Sequence, residues 1–522
     1  MTANLRRAAV LLFIVCSAFA ARAQAGSAGE ELSYRRLQQA AEAIGEGQLP
    51  RAEALLDSVL ASSPRDADAL NLLGVVRARQ RRAADAESLF RRALAAQPAH
   101  VGAHVNLGEL YLTTGRPEQA LQILLAAHKL APERPDVNLK LAALYEGGRE
   151  YETALEHLKL VPPADAGADY FPLLLKALLG LRRLEEARRL AAEFKGSGAG
   201  DAEGAADFAL LLAGGGLSDE ALELLEAARA RSPESFPVLY ALGVVNAAAK
   251  RYAKAEEYLT AALRAKPDDV ATLRALASVA RATGDLEKAL AHLIRARRVA
   301  PDSPAVLYDF GVTALKMDLL LDALPAFEQL YRARPQEPAY IYALAAARLK
   351  KGDRAEAVRL MKVYTGLRPQ DAAGFYLLGA ALRSLSQLAE ARAALERSVS
   401  LKPDPDAEYL LGDTLNEEGN RAAAIETLRR VVGARPDHAA AHAALGAAYR
   451  EQGDYARARA ELERAVELDP KDLRANYQLG LVYAKLGDKE AAKRMLEAAD
   501  ALRAQQRQQE SVVLKLAEPP QN

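Results

Sequence analysis

Four of the seven histidines form two pairs, His100/His104 and His438/His442, each spaced four residues apart. On a helix that spacing puts two imidazoles on one face, as in zinc sites. Neither pair has a third ligand or a glutamate base within sequence reach. His104 and His442 also fall at a periodic core position, so packing is the reading they support. The lone Cys16 cannot make an intramolecular disulfide or a thiolate zinc site. Residues 196–216 hold seven glycines in 21, without the spacing or the preceding strand of a phosphate-binding loop. No G-x-S-x-G or H-E-x-x-H occurs, and neither catalysis, metal nor cofactor is expected.

The residues that recur with a chemistry are tyrosines. Tyr240, Tyr308, Tyr342, Tyr376, Tyr409 and Tyr477 follow one another at intervals of 68, 34, 34, 33 and 68. A tyrosine offers a broad apolar ring and a hydroxyl at low entropic cost, which suits contact with an extended peptide; such rings also simply cover the helix that carries them. Arg281, Lys316, Lys350 and Arg383 recur at nearly the same interval. Such a row could hold an acidic segment or a terminal carboxylate, or it could complement the negative ends of four helices.

A period of 34 underlies both rows. Prolines fall at Pro64, Pro98 and Pro132, then from Pro233 to Pro403 in steps of 34, with Pro436 and Pro470 continuing after one skipped residue. Cutting on that comb divides residues 33–506 into fourteen units beginning at 33, 67, 101, 135, 168, 202, 236, 270, 304, 338, 372, 405, 439 and 473. Position 20 of the unit is alanine in all fourteen, from Ala52 to Ala492. Position 8 is glycine or alanine in thirteen, with Leu175 the exception. Positions 4, 7, 8 and 11 mark an apolar face on a first helix, and 20, 24 and 27 mark one on a second. Glycine at position 15, as in Gly115, Gly284 and Gly453, predicts the turn between them. Small residues at 8 and 20 let the backbones approach, large ones at 7 and 24 fill the flanks, and proline at 32 stops the second helix.

This pattern resembles the tetratricopeptide repeat family. The unit 439–472 carries the family signature as His442, Leu445, Gly446, Tyr449, Ala458, Leu462 and Pro470. The resemblance covers residues 33–506; tryptophan is missing throughout, and units 135–167 and 168–201 lack the proline. It implies an all-α, right-handed superhelical solenoid of about fourteen helix-turn-helix repeats, with each first helix lining a concave groove that binds proteins or peptides. In that family the tyrosine position faces the groove. The lysine/asparagine clamp of chaperone-tail binders and the asparagine ladder of sugar-transferring members are absent, so neither specificity is carried over. Since one hairpin cannot bury enough surface alone, stability is expected to grow with neighbour interfaces.

The chain of 522 residues is too long for one compact core, and its 69 basic and 69 acidic residues exclude a strongly basic nucleic-acid binder. Arg6 and Arg7, the apolar run Ala8–Ala20 and the small residues to Ala23 predict a secretory signal peptide, residues 1–23, too short to span a membrane. Cleavage would leave a near-neutral, cysteine-free protein, periplasmic or secreted. A spacer is expected at 24–32, an array of five repeats at 33–201, one of nine at 202–506, and a tail at 507–522, with Ala504 to Gln509 extending the last helix as a polar cap. The glycine-rich stretch 196–216 is either a hinge between the arrays or a lengthened loop in a degenerate repeat. Two functions fit: a non-enzymatic exported scaffold, or an accessory subunit that recruits or regulates an envelope enzyme such as a glycosyltransferase or peptidase.

Overall fold

The computed structural model describes residues 28–162, 167–197 and 201–517, and every element among them is a helix. The predicted signal peptide lies outside the described residues, as do Pro163, Gly198 to Gly200, and Pro519 and Pro520. Among the described residues twenty-eight helices pair into fourteen hairpins, one for each predicted unit. They form an all-α repeat solenoid in two compact units, Met1–Pro267 and Asp268–Asn522. No described helix is long and apolar enough to cross a membrane. The final helix, Lys489–Ala517, runs past Gln509.

The crossing within each hairpin explains the two small positions. The fourteen alanines of position 20 are completely buried, except Ala492 at 5% exposure. Opposite them, a Cβ added to Gly379 would meet Leu395 Cγ at 2.6 Å and the Ala391 carbonyl oxygen at 3.3 Å. The same holds at Gly311, 2.6 Å from the Phe327 ring, and at Gly412, 2.6 Å from Leu428 Cγ. In each case the blocking side chain is position 24. The position-24 side chain packs directly on the glycine backbone here, so even one methyl group would force that side chain to shift.

The comb prolines lie just beyond the second helices, which end at residues such as Ser62, Ala96 and Val299. Between the helices of each hairpin the chain turns through a left-handed residue at position 15. Eight of these are glycine, among them Gly115, Gly284 and Gly453. Six are not: Arg81, Arg149, Arg182, Lys250, Asp318 and Ser386 all hold φ near +60°. The turn geometry therefore belongs to the hairpin and is imposed on side chains that disfavour it.

Within the first unit one buried cluster runs from Leu37 to Ala120 and another from Ala142 to Val245. In the second unit the largest spans Ala277 to Ala394. The two proline-less repeats are irregular: second helix Tyr151–Lys159 has 9 residues where 14 is usual, and first helix Tyr170–Gly180 has 11 where 13 is usual.

Candidate partner-binding face

Five of the six candidate tyrosines lie in the second unit, on the first helices Pro304–Lys316, Pro338–Lys351, Ala372–Ser384, Pro405–Glu417 and Leu473–Leu486. Stacking of successive hairpins brings Tyr308, Tyr342 and Tyr376 into sequence along one face. Burial pushes the Tyr342 hydroxyl above its ordinary pKa, and Asp371, Tyr376 and Tyr308 push it further. Burial does the same at Tyr376, followed by Asp406 and Asp404. At Tyr409 burial and Asp413 act upward while Arg383 and Arg474 partly offset them. Tyr342, Tyr376 and Tyr409 are thus half-buried neutral hydroxyls in a run of carboxylates, able to donate or accept hydrogen bonds.

Neighbouring rings fix their orientation. Tyr308 lies 6.1 Å from Tyr340 and 6.4 Å from Phe327, and Tyr342 lies 5.3 Å from Tyr364. Tyr364 in turn donates its hydroxyl to Asp371. Tyr409 sits 5.0 Å from the His438 ring. Tyr477 is more open, at 40% exposure. Tyr240 belongs to the first unit, where it stacks on Phe236 at 6.0 Å.

Three of the four candidate cations are engaged between repeats. Arg281 approaches Asp309 at 3.5 Å, and Arg274 holds the same carboxylate at 2.7 Å. Lys350 pairs with Asp318. Arg383 pairs with both Asp413 and Glu417, and Arg474 stands 3.6 Å from Asp413. Asp413 is only 1% exposed, and these guanidiniums are the charges set against it. Lys316 is exposed and has no ion pair among the described residues. The row therefore ties repeats together, and an acidic ligand would have to displace carboxylates already in place.

Sequence reasoning overlooked Asp309 and Asp413, together with Arg474 and the supporting rings Tyr340 and Tyr364. A signal existed for the acids. Arg274 and Asp309 are 35 residues apart, one period plus one, and Arg383 and Asp413 are 30 apart, close to one period. Stacking makes such residues neighbours, as residues one turn apart are neighbours on a single helix.

The histidine pairs serve the turns. His100 and His438 are N-caps whose Nδ1 atoms accept the amides of Ala103 and Ala441. His104 Nδ1 meets the His100 carbonyl at 3.1 Å, while His442 lies between Glu461 and the Pro436 carbonyl at 2.6 and 3.1 Å. Each ring is occupied by its own partners, and neither pair shares a ligand point.

Models of the tetratricopeptide repeat match residues 37–101, 77–129, 115–179, 206–270, 246–308, 406–438 and 473–506, and one described as TPR repeat matches 446–487. A model of anaphase-promoting complex, cyclosome, subunit 3 matches 316–398. Among solved structures, the APC/C hetero-tetramer Cut9-Hcn1 is 16% identical with a TM-score of 0.44, the match covering 84% of this chain and 93% of that one. Yeast Tom70 is 16% identical at 0.36, covering 84% and 96%. A tetratricopeptide repeat protein from Parabacteroides merdae is 17% identical at 0.40, covering 48% and 98%. No curated protein matches the chain.

Proposed function

The chain belongs to the tetratricopeptide repeat family, and we propose that it is a non-enzymatic, exported scaffold that holds an extended peptide or partner-protein segment along its first helices. In the family those helices line a concave groove. The observation that carries the reading is the run Tyr308, Tyr342, Tyr376: three half-buried rings at one repeat position on three successive first helices. Their spacing offers apolar slots to alternate side chains of an extended segment, and their hydroxyls offer hydrogen bonds to its backbone. Because Arg281, Lys350 and Arg383 already face carboxylates, the segment favoured is neutral or basic rather than acidic.

The test is affinity capture from native envelope with the chain beginning at Gln24, repeated with Tyr308, Tyr342 and Tyr376 all changed to Ala and again to Phe. Loss of a partner with Ala and retention with Phe is expected. Identical partners on all three baits would remove the tyrosine face from the account. Export is checked separately by sequencing the amino terminus of the protein recovered outside the cytoplasm, where Gln24 should lead.

A further inference from the structure

The second helices of the units 270–303 and 304–337 depart from the rest of the chain on their solvent side. Leu321 is 90% exposed and stands at position 18, where the other thirteen units carry alanine, proline or an acid. Ile294 is 47% exposed at position 25, where only one other unit, with Leu125, places a large apolar residue. Both belong to the second unit and lie away from the tyrosine positions.

Asp322, next to Leu321 in helix Leu320–Ala333, edges a cavity of about 420 Å³ whose other walls come from helix Leu286–Val299, Pro301 and helix Pro304–Lys316. Leu290, Ile294, Pro301 and Phe310 give it an apolar lining, and the Arg297 guanidinium covers the Phe310 ring at 4.9 Å. Its two charged rims sit on opposite helices, Arg298 on one and Asp322 on the other. Both are exposed, and neither has an ion pair among the described residues. Pro325 lies inside the second of these helices; having no N–H, it leaves the carbonyl of Leu321 without its usual helical donor. One short surface thus presents an apolar knob, an adjacent apolar well, a free cation and a free anion.

We propose that this surface binds a second copy of the chain through a two-fold exchange, Leu321 of each copy entering the well of the other. A two-fold interface requires one patch complementary to itself, with every contact made twice. Knob and well are neighbours on the same patch, and the rim charges are opposite. Rotation about the axis sets Arg298 against Asp322 of the second copy, and Asp322 against its Arg298. The surface is independent of the tyrosine face, so the two readings stand or fall separately.

Sedimentation velocity of the full chain from about 1 to 200 µM, the range of weak specific interfaces, reads the association. Reductant is included so that Cys16 cannot cross-link the chains. A monomer–dimer equilibrium is expected. Leu321→Asp should weaken it at least about tenfold, since a charge would enter an apolar well twice. Arg298→Asp and Asp322→Arg should each weaken it about fivefold through like-charge contacts, and the double variant should return to within about threefold of wild type. All three sites are exposed, so circular dichroism and melting should be unchanged. A monomer throughout the range, a dimer indifferent to Leu321→Asp, or a charge swap that fails to restore association would each overturn the proposal.

Discussion

The hairpins Ala372–Leu401 and Pro405–Ala434 differ sharply from those between residues 135 and 197. In the first pair a glycine meets a leucine at each crossing, Gly379 with Leu395 and Gly412 with Leu428. In unit 168–201 the sizes are exchanged: position 8 is Leu175 and position 24 is Ala191, both buried in one cluster. The preceding hairpin keeps Ala142 and Leu158 buried at those positions and adds a cluster of rings and an amide beside them. His157 donates or accepts with Asn138 at 3.0 Å, stacks on Tyr145 at 5.5 Å and meets His128 edge-on at 4.9 Å. The comparison teaches that the fold requires a total volume at the crossing and tolerates several ways of supplying it, each with its own sensitivity.

The largest effect is expected where the crossing is tightest. Ala391→Leu, which forces apart backbones already in contact at Gly379, should cost roughly 3 kcal/mol or more, read from the urea midpoint by circular dichroism. Melting together with wild type would show that the close crossing is not where the glycines place it. Leu175→Ala should cost roughly 2–3 kcal/mol through the cavity it opens. Adding Ala191→Leu should recover about 1 kcal/mol or more of that loss. Strict additivity of the two changes would mean that the volumes are not exchanged between these positions.

A smaller gain of roughly 0.5–1 kcal/mol is expected for Ser386→Gly, which relieves a left-handed backbone at φ +59°, and a similar loss for Gly419→Ala at φ +83°. Equal stability in both would dissolve the argument from turn geometry. The irregular region should also respond to acid in a way the regular one does not. Burial, then the charge of His128, hold His157 below its ordinary pKa, with Glu156 acting weakly the other way. A depressed histidine stabilises the folded state above its unfolded pKa near 6.5, and that contribution is lost as pH falls through the lower folded value. The protection factors of amides in residues 135–159, corrected for the intrinsic pH dependence of exchange, should therefore fall below about pH 6.5. His157→Gln, which keeps a polar partner for Asn138 without a titration, should flatten the dependence; an unchanged profile would assign it elsewhere.

Most of the fold was legible because position 20 admits one solution. An alanine at every crossing, a proline after eleven of the fourteen second helices and a turn residue between helices leave little freedom in where the hairpins fall. The left-handed turn was legible at Gly115 and Gly284 but not at Lys250 or Ser386, since no side chain there advertises the conformation that the paired helices impose. The candidate face was readable in part. The tyrosine interval gave Tyr308, Tyr342 and Tyr376 as neighbours, while the row Arg281, Lys316, Lys350, Arg383 looked free in one dimension and is largely neutralised in three. The same projection hid the roles of His100 and His438 as helix caps.

What the amino-acid order determined alone is the repeat, its register, its fourteen hairpins and the residues that touch at each crossing, because a strict period leaves each unit the same local problem to solve. Only the tertiary structure decided which charges are spent between repeats, which rings support the tyrosines, and where an apolar knob stands beside an apolar well. Those depend on residues a whole period apart meeting across a stacked interface, and the distance between them is set by the packing of helices rather than by any local preference of the chain.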